Sequence, residues 1–125
     1  MTNKEIIPID APKAGPYNHG VKVGNLLFLS GQIAGSEAKT IQEQTLSIFK
    51  KIKTILEAAN ANVSDIVKVT VFLKDVSEFK EMNAVYQSFF EDNGVTVNFP
   101  ARTTVEVSDL PLPNLKLEID VIASI

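Results

Sequence analysis

The chain has 125 residues, 15 acidic against 12 basic side chains for a net charge of −3, no cysteine and one histidine. That length suits a single domain over residues 1–125 with a sizeable core, and the lack of cysteine excludes disulfides, thiol nucleophiles and thiolate metal sites. A lone imidazole leaves no credible zinc set or Ser-His-Asp triad, so neither metal nor cofactor is expected, and without a basic stripe nucleic acid is not the expected partner.

Along the chain, the amino-terminal Met1–Pro8 segment carries no apolar run of signal-peptide length, and Leu26-Leu27-Phe28-Leu29 is far too short to span a bilayer. A cytoplasmic protein with no membrane partner is expected. Ile6-Ile7 and Val21-Lys22-Val23 read as short strands around a Pro- and Gly-rich loop, and Gly24-Asn25 marks a hairpin into a strand from Leu26 to Ala34. Gly15, Gly20, Gly24, Gly31 and Gly35 do not fall into a phosphate-binding pattern that opens a helix.

Thr40-Ile41-Gln42-Glu43 is a capping box. Ile41, Ile48, Phe49, Ile52, Ile55, Leu56 and Ala59 then recur at helical spacing, which predicts a helix over roughly 40–60. Ile66 to Lys74 alternates as a strand, with Val67, Val69, Val71 and Leu73 on one side and Lys68, Thr70 and Lys74 on the other. A second helix follows, with Ser77 as cap, a core stripe of Phe79, Met82, Val85, Tyr86, Phe89 and Phe90, and Gly94 as its stop.

The segment Asn98 to Val107 places an arginine in a β-branched run. Alternation sets Ala101, Thr103, Val105 and Val107 on an expected core face and Arg102, Thr104 and Glu106 on the other. The planar guanidinium fork matches a carboxylate in bidentate geometry, so Arg102 is either the anchor for a small acid or a member of a structural ion pair. Leu115 to Val121 alternates too, with Lys116, Glu118 and Asp120 on its polar side. The short link broken by Pro111 and Pro113 reads most simply as an antiparallel hairpin turn. One register sets Glu106 opposite Lys116, Thr104 opposite Glu118 and Arg102 opposite Asp120, and a two-residue slip pairs Arg102 with Glu118. Either register gathers a cation, a hydroxyl and a carboxylate on one face.

Two amphipathic helices cover only one face of such a sheet. The strand around Phe28 is apolar on both faces, so its second face is expected to be buried by a partner subunit in a closed homo-oligomer, with polar groups in clefts between subunits.

Gly15-Pro16-Tyr17, Leu29-Ser30-Gly31-Gln32-Ile33, Asp65 to Phe72, Met82-Asn83-Ala84-Val85-Tyr86, Phe99-Pro100-Ala101-Arg102 with Val105-Glu106-Val107, and Leu117-Glu118-Ile119 together resemble the reactive intermediate deaminase (RidA, YjgF-like) family. The resemblance runs nearly end to end. It implies a chorismate-mutase-like α+β fold, a mostly antiparallel sheet with two helices on one face, and a homotrimer enclosing a barrel with three clefts between subunits. It also implies hydrolysis of 2-imino acids (2-iminopropanoate, 2-iminobutanoate) to 2-keto acids and ammonia. Carried over by residue, Arg102 would bind the substrate carboxylate and Glu118 would hold the attacking water. Tyr17, Ser30, Gly31, Asn83, Thr104 and Pro111 would line the pocket. Thr104 stands where many members have cysteine, which excludes thiol chemistry, and the turn from Ile33 to Thr40 is shorter than in many relatives. On this reading Glu118 lies near Arg102, which favours its anionic form. The alternative is a non-catalytic protein that binds a 2-keto acid, or a chaperone-like regulator. His19 is expected to be a loop residue.

Overall fold

The structure is a computed structural model and describes residues 3–125. Its elements run β1 (Lys4–Ile7), β2 (Gly20–Val23), β3 (Leu26–Gln32), α1 (Ile41–Ala58), β4 (Ile66–Leu73), α2 (Phe79–Asp92), β5 (Ala101–Glu106) and β6 (Leu117–Ser124). The strands form one six-stranded sheet in the order β1-β2-β3-β6-β4-β5, antiparallel throughout except for β4 and β5. The helices lie on one face, as their amphipathic spacing predicts, in an α+β arrangement.

Local chemistry accounts for the element boundaries. Thr40 closes the expected capping box, its hydroxyl accepting from Glu43 N at 3.1 Å while the Glu43 carboxylate accepts from Thr40 N at 3.0 Å. The same two backbone N–H groups that orient the Glu43 carboxylate, Thr40 N first and Lys39 N second, hold its pKa below the usual value. Ahead of α2 the cap differs from expectation: Asp75, not Ser77, begins a short 3₁₀ turn over Val76–Glu78, its carboxylate accepting from Ser77 N at 2.9 Å. An aspartate two residues upstream outcompetes the serine because a carboxylate is the stronger acceptor. Gly24 takes a left-handed φ of +60° in the two-residue turn between paired Val23 and Leu26, so the Gly24-Asn25 hairpin forms as expected.

Between helices and sheet lies the core. Ile48, Phe49, Ile52 and Leu56 of α1 and Met82 and Phe90 of α2 are fully buried against Leu27, Val69, Val71, Leu73, Leu117 and Ile119. Each such side chain contributes roughly 1.5–3 kcal/mol by leaving water. Phe49 stacks on Phe89 at 4.7 Å and meets Phe90 edge-on at 5.7 Å, so Tyr86, Phe89 and Phe90 of the α2 stripe are core, as expected, whereas Phe79 is 37% exposed.

Three expectations about the sheet fail. First, β5 and β6 are not a hairpin: β4 lies between them, parallel to β5 with Val69 opposite Arg102, and antiparallel to β6 with Phe72 opposite Glu118. The 107–116 link crosses the end of β4, with Val107 N donating to Leu73 O at 2.8 Å and Lys74 N donating to Lys116 O at 2.9 Å. Second, the faces of β5 are reversed. Ala101, Thr103 and Val105 are exposed on the face away from the helices, while Arg102 and Thr104 are half-buried beneath α2. Third, Val67 is 45% exposed, because a register shift between Ile66 and Lys68 takes it out of the alternation.

The face without helices carries Val23, Leu26, Phe28 and Val105, each 39–41% exposed, with half-buried Val21, Phe72 and Ile122 beside them. It is an apolar sheet face open in the single chain, as the pattern around Phe28 leads one to expect.

Candidate active site

The two faces of the sheet each present a cleft. On the helix side, Arg102 leaves β5 and meets α2, whose Phe79, Asn83 and Tyr86 recur at i, i+4 and i+7 and so share one helix face. Arg102 Nη1 donates to Asn83 Oδ1 at 2.6 Å, and its guanidinium carbon lies 4.6 Å from the Tyr86 ring centroid and 5.5 Å from that of Phe79. Among the described residues no carboxylate stands within ion-pair distance of it. Asn83 and Arg102, with Tyr86, Phe99 and Pro100, border a cleft of about 440 Å³. An oriented, half-buried guanidinium with spare donors suits an incoming carboxylate.

The hydroxyls of Tyr86 and Thr104 are buried without a hydrogen-bond partner among the described residues. Burial pushes the Tyr86 pKa up to about 12, against the opposing pull of the Arg102 charge.

The opposite face holds Glu118. It shares a cleft of about 420 Å³ with Tyr17, Ser30, Gly31 and Pro111. This cleft is built on a break in β3. Leu29 pairs with Val121 but Gln32 pairs with Ile119, so Ser30 and Gly31 bulge together where one residue would fit. Ser30 binds the β1–β2 loop instead, its N donating to His19 O at 2.9 Å and its Oγ to Asn18 O at 2.6 Å. Gly31 makes room for Glu118: an ideal Cβ there would overlap Oε2 and stand 2.8 Å from Cδ. Tyr17 is steadied by Ala14 N, which donates to its Oη at 3.1 Å. Pro111 rides on a link tied to α1 by Gln44, whose Nε2 donates to Asn114 O at 2.9 Å and whose Oε1 accepts from Lys116 N at 2.8 Å.

Glu118 and Arg102 therefore lie on opposite faces of one sheet, and the expectation that both share a face is overturned along with the hairpin. The charge environment of Glu118 changes with it. Burial first, and the Asp120 charge second, push its pKa up from the ordinary glutamate value, the opposite direction to that expected from a neighbouring arginine. Asp120 is likewise raised, chiefly by burial, with a Thr70 hydrogen bond and the Lys68 charge opposing.

The structure thus brings Tyr17, Ser30, Gly31, Pro111 and Glu118 together in one cleft and Asn83 and Arg102 in another, whereas Thr104, on the Arg102 face of β5 with its hydroxyl buried, lines neither. Phe79 and Tyr86 beside Arg102 were legible only as core stripe, although their spacing with Asn83 marks the face that meets it. A larger groove, about 810 Å³ between α1 and α2, is bordered by Leu46, Lys50, Lys53 and Lys80 and gathers none of these groups. Among the described residues no set of His, Asp or Glu could hold a metal ion, and no helix is long and apolar enough to cross a membrane.

The chain is a small α+β unit with an oriented arginine in a cleft on one sheet face and a glutamate cleft on the other. The family model described as Endoribonuclease L-PSP matches residues 8–125, and the chain belongs to that family, also known as YjgF/RidA. The chain is 42% identical over 127 residues to the 2-iminobutanoate/2-iminopropanoate deaminase of Salmonella typhimurium, covering 97% of each. Other relatives of similar identity carry the name RutC family protein. Among solved structures it is similar to the YjgF gene product of E. coli (TM-score 0.88, 40% identity, covering 96% of this chain and 98% of that one). It is also similar to E. coli TdcF with bound serine (TM-score 0.89, 38% identity, covering 97% and 98%).

Proposed function

We propose that this chain is a hydrolytic deaminase of 2-imino acids, working as a chorismate-mutase-like homotrimer in the cytoplasm. Its active sites form where the Arg102 cleft of one subunit meets the Glu118 cleft of the next. The observation that carries the reading is the separation of the two clefts. A guanidinium without an ionic partner and a glutamate in a tailored bulge sit on opposite faces, next to an apolar sheet face that needs covering. Only a second copy brings them together.

The chemistry follows from the groups present. Arg102, held by Asn83 and Tyr86, binds the substrate carboxylate through its fork. That fixes the imine carbon over the Glu118 cleft of the partner subunit, with Tyr17, Ser30, Gly31 and Pro111 as walls. A protonated imine carbon is already electrophilic, so the protein need only orient a water and move protons. Glu118 accepts a hydrogen bond from that water and takes its proton as the C–O bond forms. The proton then passes to the nitrogen; as the C–N bond breaks, Glu118 takes the carbinolamine O–H proton and the C=O forms, and the departing ammonia picks that proton up, so the products are a 2-keto acid and ammonium. Cysteine is not needed for these steps. The guanidinium of the partner subunit also draws the Glu118 carboxyl back toward its anionic form.

The test is keto-acid release from enzymatically generated 2-iminopropanoate and 2-iminobutanoate, with and without the protein. Catalytic amounts should accelerate release. Unchanged release combined with saturable binding of a 2-keto acid would instead establish the non-catalytic binding role.

A further inference from the structure

We propose that His19, outside the substrate cleft, is a positioning residue. As a neutral imidazole protonated on Nε2, it locks the Tyr17-bearing loop to the Ser30-Gly31 bulge. The proposal rests on the reading above for what that cleft does.

The hydrogen bonds determine the tautomer. His19 Nε2 lies 3.1 Å from Pro12 O, which can only accept, so Nε2 carries the proton. Its Nδ1 lies 3.3 Å from Gln32 Nε2, and that amide nitrogen donates to Ser30 O at 3.0 Å. The second contact fixes the amide orientation, because turning Gln32 over would set its oxygen against the Ser30 carbonyl. Gln32 is 5% exposed, which limits escape to solvent. Nδ1 must therefore accept. The ring thus joins Pro12 at one end of the loop to Gln32, two residues beyond Ser30.

Tyr17 and the bulge hang on this clamp. The Tyr17 and His19 rings meet edge to face at 6.2 Å. Backbone bonds from Ser30 to His19 O and from the Ser30 hydroxyl to Asn18 O complete the attachment. Protonating Nδ1 would set two donors against each other. The ionisable groups that border the ring are Tyr17 on the loop and Lys51 on α1, across a cavity of about 200 Å³. Acid thus loosens the wall of the Glu118 cleft through this one ring.

Because His19 is the single histidine, its two-bond ¹H–¹⁵N spectrum needs no assignment. At pH 8 the pattern should be that of the Nε2–H tautomer, and the Tyr17 ring and Ser30 amide signals should shift with the same midpoint as the imidazole. The Nδ1–H pattern, or Tyr17 and Ser30 signals that ignore the imidazole titration, would overturn the proposal. Neither readout depends on imine hydrolysis, so a wild-type protein that fails to hydrolyse imines leaves this result standing and sinks only the functional reading. In the kinetic arm, His19→Leu should raise KM roughly tenfold with a smaller change in kcat, since two loop hydrogen bonds are lost. His19→Gln, whose amide donates and accepts from one planar group, should recover most of that loss and remove the acid-dependent shift of Tyr17. Equal damage from both variants at unchanged oligomeric state would show that the tautomer is irrelevant.

Discussion

Gly31→Ala separates the demands of folding from those of the site. Gly31 is not among the residues with positive φ, so alanine fits the backbone, and restricting the unfolded chain offsets part of any strain. The three atoms nearest the new methyl all belong to the Glu118 side chain: it would overlap Oε2 and stand 2.8 Å from Cδ and 3.0 Å from Cγ, whereas ordinary contact begins near 3.4 Å. The far end of a glutamate can swing away, so stability should change by about 1 kcal/mol or less. The carboxylate must then move by roughly 1 Å, and misplacing a water-orienting group by that amount costs on the order of a hundredfold in rate. The paired measurements are denaturant unfolding and kcat/KM for 2-iminopropanoate. Near-normal turnover in Gly31→Ala would show that the position of Glu118 does not matter. A loss of several kcal/mol with turnover falling only in proportion would make Gly31 a folding residue.

Arg102→Ala should lower kcat/KM by at least about a hundredfold, because two charge-assisted hydrogen bonds to the substrate vanish, and Arg102→Lys should rescue poorly. Folding and oligomeric state should survive, and their loss would make Arg102 structural. Tyr86→Phe keeps the ring under the guanidinium and removes a buried hydroxyl without a partner, so stability should hold or rise while Tyr86→Leu weakens substrate binding; a marked loss of stability in Tyr86→Phe by thermal melting would reveal a hidden partner. The Glu118 carboxyl, followed by ¹³C NMR, should titrate at higher pH in Arg102→Ala, since a cation that favours the carboxylate is gone, and at lower pH in Asp120→Asn, since a like charge that raises it is gone. An Arg102→Ala midpoint that does not move would separate the two residues in the assembly as well as in the chain.

What the sequence revealed and what it hid divide along a physical line. Helical period and capping chemistry located both helices within a few residues, because Thr40 with Glu43 and the stripes of α1 and α2 are local signals. Alternation also exposed the second apolar face around Phe28. The same alternation could not tell which apolar face meets the helices, so Ala101, Thr103 and Val105 read as core when they share the open face with Phe72. Nor does alternation encode pairing: the proline-broken link resembles a turn, yet it crosses β4, and that crossing puts Arg102 and Glu118 on opposite sides. The candidate residues themselves were legible from motif resemblance. Their separation into two clefts was not, since it arises from strand order.

Subunit complementation tests the shared site directly. Arg102→Ala and Glu118→Ala, each expected to be nearly inactive as a pure protein, are unfolded, mixed in equal amounts and refolded together. If each site takes Arg102 from one subunit and Glu118 from the next, random reassembly should restore about one quarter of the sites, those that combine the two unmutated halves. A mixture whose 2-iminopropanoate hydrolysis stays at the sum of the two separate variants, despite proven subunit exchange, would contradict a site shared between chains.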